Sequence, residues 1–151
     1  VFRWYRKDGS SVVIKYYPDP LAALADDEAF AVLRRASQPD DFVQVVSEVR
    51  PKQGQLRFLR DVRGITLGTL RQSKVLQEKD FGLLVQHFQV AMGHIRNRLE
   101  QMFGTDRIVA LEAQTRTFRI IAGEGSILVN PHEHNIIVEL ATGRLWIIDP
   151  N

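Results

Sequence analysis

One long amphipathic helix in an otherwise strand-rich chain does most to limit what this sequence can fold into. Phe81, Leu84, Val85, Phe88, Met92, Ile95, Leu99 and Met102 recur every three or four positions, and Gly104 supplies a stop. Ahead of it, residues 1–6 and 11–17 are β-rich runs around Lys7-Asp8-Gly9-Ser10, and Asp-Gly between such runs signals a hairpin. Pro18-Asp19-Pro20 breaks the second run and can start a helix. From residue 21 to about 36, Leu21, Leu24, Ala25, Val32 and Ala36 keep helical spacing. Residues 42–50 and 55–61 read as strands around the turn Pro51-Lys52-Gln53-Gly54. A short helical stretch follows at 67–71. Beyond the long helix, 107–113 and 117–122 suggest a hairpin, and Gly123-Glu124-Gly125 is a break. Residues 127–129, 136–140 and 144–148 are the last strands, the final two joined by Ala141-Thr142-Gly143. The expected class is α+β.

The chain has 151 residues, enough for one domain with a real core. A hydrophobic fraction of 44% with 25% charged residues is that of an ordinary soluble domain. A net charge of +2, with scattered arginines, argues against a nucleic-acid footprint. The absence of cysteine excludes disulfides, thiolate metal sites and a cysteine nucleophile. No apolar run approaches a membrane span and no signal peptide opens the sequence. A soluble setting follows as the expectation, either cytoplasmic or inside a host cell after delivery. Val1 begins within a strand-like run and Asn151 directly follows another, so both ends read as cuts through a larger protein.

Four segments carry a resemblance to the protein-kinase-like fold. Val12-Val13-Ile14-Lys15 resembles the Val-Ala-Ile-Lys strand, whose lysine reaches the phosphates of ATP. Glu28, expected on the inward stripe of the next helix, is the counterpart of the glutamate that fixes that lysine. It lies closer to the lysine than the family usually has it, and Asp26 and Asp27 compete for the role. Residues 55–70 resemble the last small-lobe strand, the hinge and a G-x-T-L connector (Gly64-Ile65-Thr66-Leu67). The hinge backbone at Arg60, Asp61 and Val62 would then hydrogen-bond an adenine ring.

The fourth segment is the most specific. Asn130-Pro131-His132-Glu133-His134-Asn135-Ile136-Ile137-Val138, followed by a hairpin ending at Asp149, is similar to the catalytic loop of atypical kinases of the UbiB group. Those carry Asp-Pro-His-Pro-Gly-Asn-Ile-Leu-Val and then Ile-Asp-Phe-Gly. The resemblance implies Mg²⁺ held by Asn135 and Asp149, as an amide oxygen and a carboxylate suit a hard cation. It also implies a small lobe at 1–62, and a connector, long helix and catalytic hairpin (a partial large lobe) at 63–151. The expected activity is ATP-dependent phosphoryl transfer.

The departures are equally specific. Asn130 stands where the family has its catalytic aspartate, and an amide cannot accept a hydroxyl proton. Three readings stay open: a natural pseudokinase, an inactivating substitution, or a base supplied by His132 or Glu133. Asp149-Pro150-Asn151 replaces Asp-Phe-Gly, and residues 105–126 exceed the usual link between long helix and catalytic loop.

The same C-terminal segment also resembles the end of papain-like bacterial effector proteases, with His134 as base and Asp149 orienting it. Their cysteine is missing here. A third expectation is a pseudokinase-type binding module whose partner protein covers the flank of the long helix around 81–103. His87 and His94, seven residues apart, read as boundary residues rather than metal ligands.

Overall fold

The computed structural model describes residues 1–111 and 117–151. Among them are three helices and three sheets, mostly antiparallel: an α+β fold, as expected. The strand–turn–strand signal at the start forms β1 (Phe2–Tyr5) and β2 (Ser11–Tyr16), paired from Tyr5↔Ser11 to Phe2↔Ile14. Asp8 closes their turn by accepting from the Ser10 N–H (2.9 Å) and hydroxyl (2.6 Å).

Helix α1 (Pro20–Ala36) starts where Asp19 accepts from the Leu21 N–H at 2.9 Å, with Pro20 in the first turn. Its buried face agrees with the expected stripe at Val32 and Ala36 and differs from it in the first turns. Leu21 and Leu24 are exposed, and Ala23, Asp26, Ala29, Phe30 and Leu33 point inward. The stripe that packs is therefore headed by a carboxylate and small side chains.

The strand expected at 42–50 divides in two. β3 (Val43–Val45) leaves to pair in parallel with β11 (Leu145–Ile147), whereas β4 (Glu48–Gln53) pairs with β5 (Leu56–Arg60). Pro51 falls within β4 rather than in the turn, which sits at Gly54 (φ 56°). The order β1-β2-β5-β4 makes β4 an edge, and its register shifts around Arg50, so a residue without an N–H is tolerated there.

The second sheet has the order β3-β11-β10-β6, with β6 at Gly64–Thr66 and β10 at Ile136–Glu139. A side chain at Gly64 would meet the Val138 carbonyl oxygen at 1.9 Å, so only glycine permits this pairing. Thr66 then caps helix α2 (Leu67–Ser73), accepting from the Thr69 N–H at 3.1 Å. Helix α3 (Glu78–Phe103) runs 26 residues and stops at Gly104, whose N–H returns to Glu100. Phe88, Met92, Ile95 and Leu99 are its buried positions, while Met102 at the far end is exposed.

A third sheet follows α3 among the described residues. β7 (Ile108–Ala110), β8 (Phe118–Ala122) and β9 (Gly125–Val129) are ordered β7-β8-β9, all antiparallel. The expected strand at 107–113 is shorter, and its positions 112 and 113 lie outside the described residues. One buried cluster joins α1, β3, α3 and all three sheets. Among the described residues no helix is long and apolar enough to cross a membrane.

Two glycine substitutions should move stability in opposite directions. Gly64→Ala must push the β6–β10 backbones apart and should cost about 1–3 kcal/mol. Gly93→Ala, in α3 with nothing within 4 Å of the new Cβ, should stabilise by up to about 1 kcal/mol. Urea denaturation of both variants checks the pair.

Candidate functional site

Alternation along β2 turns Val13 and Lys15 to one face, and Tyr17 continues it past the strand end. Lys15 is largely enclosed, its side chain 15% exposed. Its ammonium donates to Asp26 Oδ2 at 3.1 Å and to Asp149 Oδ2, and lies 4.5 Å from the centre of the Tyr17 ring. The Tyr17 hydroxyl donates to Asp26 Oδ2 at 2.7 Å, and Asn151 Nδ2 donates to Asp26 Oδ1 at 3.2 Å. Burial works against the lysine charge. The bonds to Asp149 and Tyr17 outweigh it and hold the ammonium above the ordinary lysine range. Burial, joined by the bond to Asp26, likewise raises the Tyr17 phenol against the pull of Lys15. The phenol therefore stays a donor.

Helix α1 thus sends an acid to Lys15, but the acid is Asp26. Glu28 is exposed on another flank of α1, contrary to the expected inward position. Two residues rotate a helix by about 200°, so Asp26 and Glu28 cannot share a face. The next residue anchors the helix to the first sheet: Asp27 takes a bidentate pair from Arg57 on β5, at 2.7 and 2.8 Å, and a third bond from Lys52.

Asp149 follows β11, and Asn135 precedes β10. Their backbones are tied by the Ile148 N–H donating to the Asn135 carbonyl at 2.9 Å. Asn135 Nδ2 donates to the Asn151 carbonyl at 3.1 Å, and the Asn151 N–H donates to Asp149 Oδ1 at 3.1 Å. The expected metal residues are therefore brought together, and they offer amide and carboxylate oxygens, the donor set Mg²⁺ takes.

Lys15, Asn135 and Asp149 line a cavity of about 200 Å³, together with Arg3. Its apolar walls include Val13, Val46, Leu59, Ile137 and Ile148, and the expected hinge, Arg60, Asp61 and Val62, borders it. The side chains of that segment are engaged elsewhere. Arg60 stacks on Trp146 at 4.7 Å. The Asp61 carboxylate, 3% exposed, takes bonds from Ser11 (2.5 Å) and Arg3 (2.8 Å). Val62 is buried. That leaves the backbone as the means by which this segment could recognise a ligand.

Asn130 lies at the end of β9, outside the cavity lining. Its N–H donates to the Pro150 carbonyl at 2.8 Å, and its side-chain oxygen accepts from Thr117 at 3.0 Å. Of the two alternative bases, Glu133 is gripped by the Arg71 guanidinium through bonds of 2.5 to 3.2 Å. His132 is exposed.

The His134–Asp149 pair of the second resemblance is not assembled. The His134 ring lies against Gly68 of α2, and Asp149 faces Lys15. His87 and His94 are exposed, His87 meeting Phe42 edge-on, and no metal-type cluster of three His, Cys, Asp or Glu occurs among the described residues. Comparison with protein-family models, curated proteins and solved structures returned no match.

Sequence reasoning missed Tyr17, Asp26 as the chosen acid, and Asn151. The signal for Asp26 was its three- and four-residue spacing to Ala23, Ala29 and Phe30, which the more hydrophobic Leu21 and Leu24 obscured.

The α1 anchor is open to a pH test. Burial disfavours the Asp27 charge, but Arg57 and Lys52 more than compensate and hold its pKa below the ordinary carboxylate value. Its contribution is thus present above about pH 4 and fades as pH falls through the lowered folded-state pKa. Asp27→Asn should be about 1–3 kcal/mol less stable than the parent at pH 7. The gap should close in acid, as followed by urea titrations at pH 7 and pH 3.

Proposed function

We propose that this chain is a protein-kinase-like domain that binds ATP with Mg²⁺ and belongs to the phosphotransferase class. The observation that carries the reading is that Lys15, paired with Asp26 of α1 and with Asp149, lines a cavity together with Asn135, Asp149 and residues 60–62. A base the size of adenine would lie between Val13 and Ile137, with the 60–62 backbone along its edge. Lys15 would hold the phosphates, and Asp26 would keep its ammonium aimed at them. Asn135 and Asp149 would hold Mg²⁺, which neutralises phosphate charge when bound. In this chain Lys15 occupies one Asp149 oxygen, so its ammonium must shift toward the phosphates as nucleotide enters.

Transfer breaks the bond from the γ-phosphorus to its bridging oxygen and forms one to an acceptor hydroxyl, whose proton must leave. The Asn130 amide cannot take that proton, and Glu133 is committed to Arg71. Turnover as the chain stands is therefore expected to be slow. The partner-binding alternative draws on the exposure of Leu83, Val90 and Met102 on α3.

Isothermal titration tests the reading. ATP should bind more tightly with Mg²⁺ than without, and Asp149→Ala should remove that difference. Lys15→Met should weaken ATP binding in either condition. No heat of binding from the parent protein would overturn the proposal. Restoring the carboxylate, Asn130→Asp, should raise phosphoryl transfer or ATP hydrolysis by about 10²-fold or more, measured as released ADP.

A further inference from the structure

The tripeptide Asp149-Pro150-Asn151 departs from the sequence the family resemblance would call for, and its hydrogen bonds give the departure a physical use. Each of its three residues ties a different part of the site. Asp149 faces Lys15. The Pro150 carbonyl accepts from the Asn130 N–H at 2.8 Å, fixing the end of β9. Asn151 makes three bonds of its own. Its N–H donates to Asp149 Oδ1 (3.1 Å), its carbonyl accepts from Asn135 Nδ2 (3.1 Å), and its side-chain Nδ2 donates to Asp26 Oδ1 (3.2 Å).

Those bonds have directional consequences. An amide can present either its oxygen or its NH₂ to a site, and only the oxygen can ligate a cation. With Asn135 Nδ2 committed to the Asn151 carbonyl, the Asn135 oxygen is the end left to face the cavity. The Asn151 N–H similarly fixes the rotation of the Asp149 carboxylate. The side chain of Asn151 then spans to α1, an element 125 residues away in sequence, and holds the same carboxylate that Lys15 and Tyr17 hold. A glycine at position 151 would keep the two backbone bonds and lose the link to α1.

We infer that Asn151 is a positioning residue: its backbone orients Asn135 and Asp149 toward the cation, and its side chain latches helix α1 to them through Asp26. The inference rests on the nucleotide reading above for what the latch serves, but the latch itself can be measured without nucleotide. Two consequences follow. Removing the Asn151 side chain frees the first turns of α1 from the end of β11. The cation site then loses a supporting bond while its two ligands remain, so the Mg²⁺-dependent part of ATP affinity falls more than the Mg²⁺-independent part. Supporting groups of this kind typically matter about 10- to 100-fold in metal affinity.

The experiment uses the full 151-residue chain and four proteins: the parent, Asn151→Ala, Asn151→Asp and Glu28→Ala as an α1 surface control. Hydrogen–deuterium exchange without nucleotide should quicken in residues 20–28 and 145–151 of Asn151→Ala, and in neither segment of Glu28→Ala. Titration of ATP with and without Mg²⁺ should then rank affinity as parent, Asn151→Ala, Asn151→Asp. The last is worst because it sets a carboxylate against Asp26. The Mg²⁺ enhancement should drop about tenfold in Asn151→Ala. Unchanged exchange in both segments would overturn the latch whatever ATP does. Faster exchange with an intact Mg²⁺ enhancement would overturn the positioning role, and so would equal losses with and without Mg²⁺. If Asn151→Ala exchanges as stated but the parent binds no ATP, the nucleotide reading fails and the positioning role falls with it, while the latch stands.

Discussion

A single ammonium group stands between two carboxylates that the chain delivers from opposite ends. Asp26 arrives on α1, eleven residues after Lys15, and Asp149 arrives at the end of β11, 134 residues after it. Their convergence requires the first sheet, α1 and the second sheet to be packed in one arrangement, which the shared core from Ala29 to Ile147 provides. The cluster is a weak source of stability in itself, because taking a lysine and two acids out of water offsets much of their attraction. Its value lies in direction. Lys15, Asn135 and Asp149 are held against a cavity whose other walls combine Val13, Val46, Leu59, Ile137 and Ile148 with Arg3, Arg60 and Asp61.

The surrounding contacts serve that arrangement at increasing distance. Tyr17 lies under the ammonium and donates to Asp26, while Arg57 fixes Asp27 one residue along the helix. These contacts pin the first turns of α1 against β2 and β5 although Leu21 and Leu24 on the same turns face solvent. Polar bonds set the pose of that end of the helix, and apolar packing takes over from Ala29 onward. The third sheet ends at Val129, and the next residue, Asn130, donates its N–H to the Pro150 carbonyl.

Much of this was legible in the sequence. The hairpin at Asp8-Gly9, the caps of α1 and the long stripe ending at Gly104 all depend on local chemistry, and local chemistry is written residue by residue. Lys15, Asn135 and Asp149 were singled out from the residues around them, and all three line one cavity. The choice of Asp26 over Glu28 was not readable from hydrophobicity, because the inward position is occupied by a charged group whose burial makes sense only once Lys15, Tyr17 and Asn151 surround it. The division of 42–50 into β3 and β4 was hidden for a related reason: both halves favour strand, and only the distant partner β11 separates them. Asn151 gave no local signal, since its bonds reach Asp26, Asn135 and Asp149 from three different elements.

The central claim is that Lys15 is the phosphate-facing lysine of a nucleotide cavity, and an adenosine triphosphate analogue bearing an acyl phosphate tests it most directly. Such a reagent acylates the lysine nearest its phosphates, and peptide mass spectrometry locates the mark. The account predicts labelling at Lys15 ahead of Lys7, Lys52, Lys74 and Lys79, with protection by ATP and Mg²⁺. Labelling spread over those other lysines, unaffected by ATP, would contradict it.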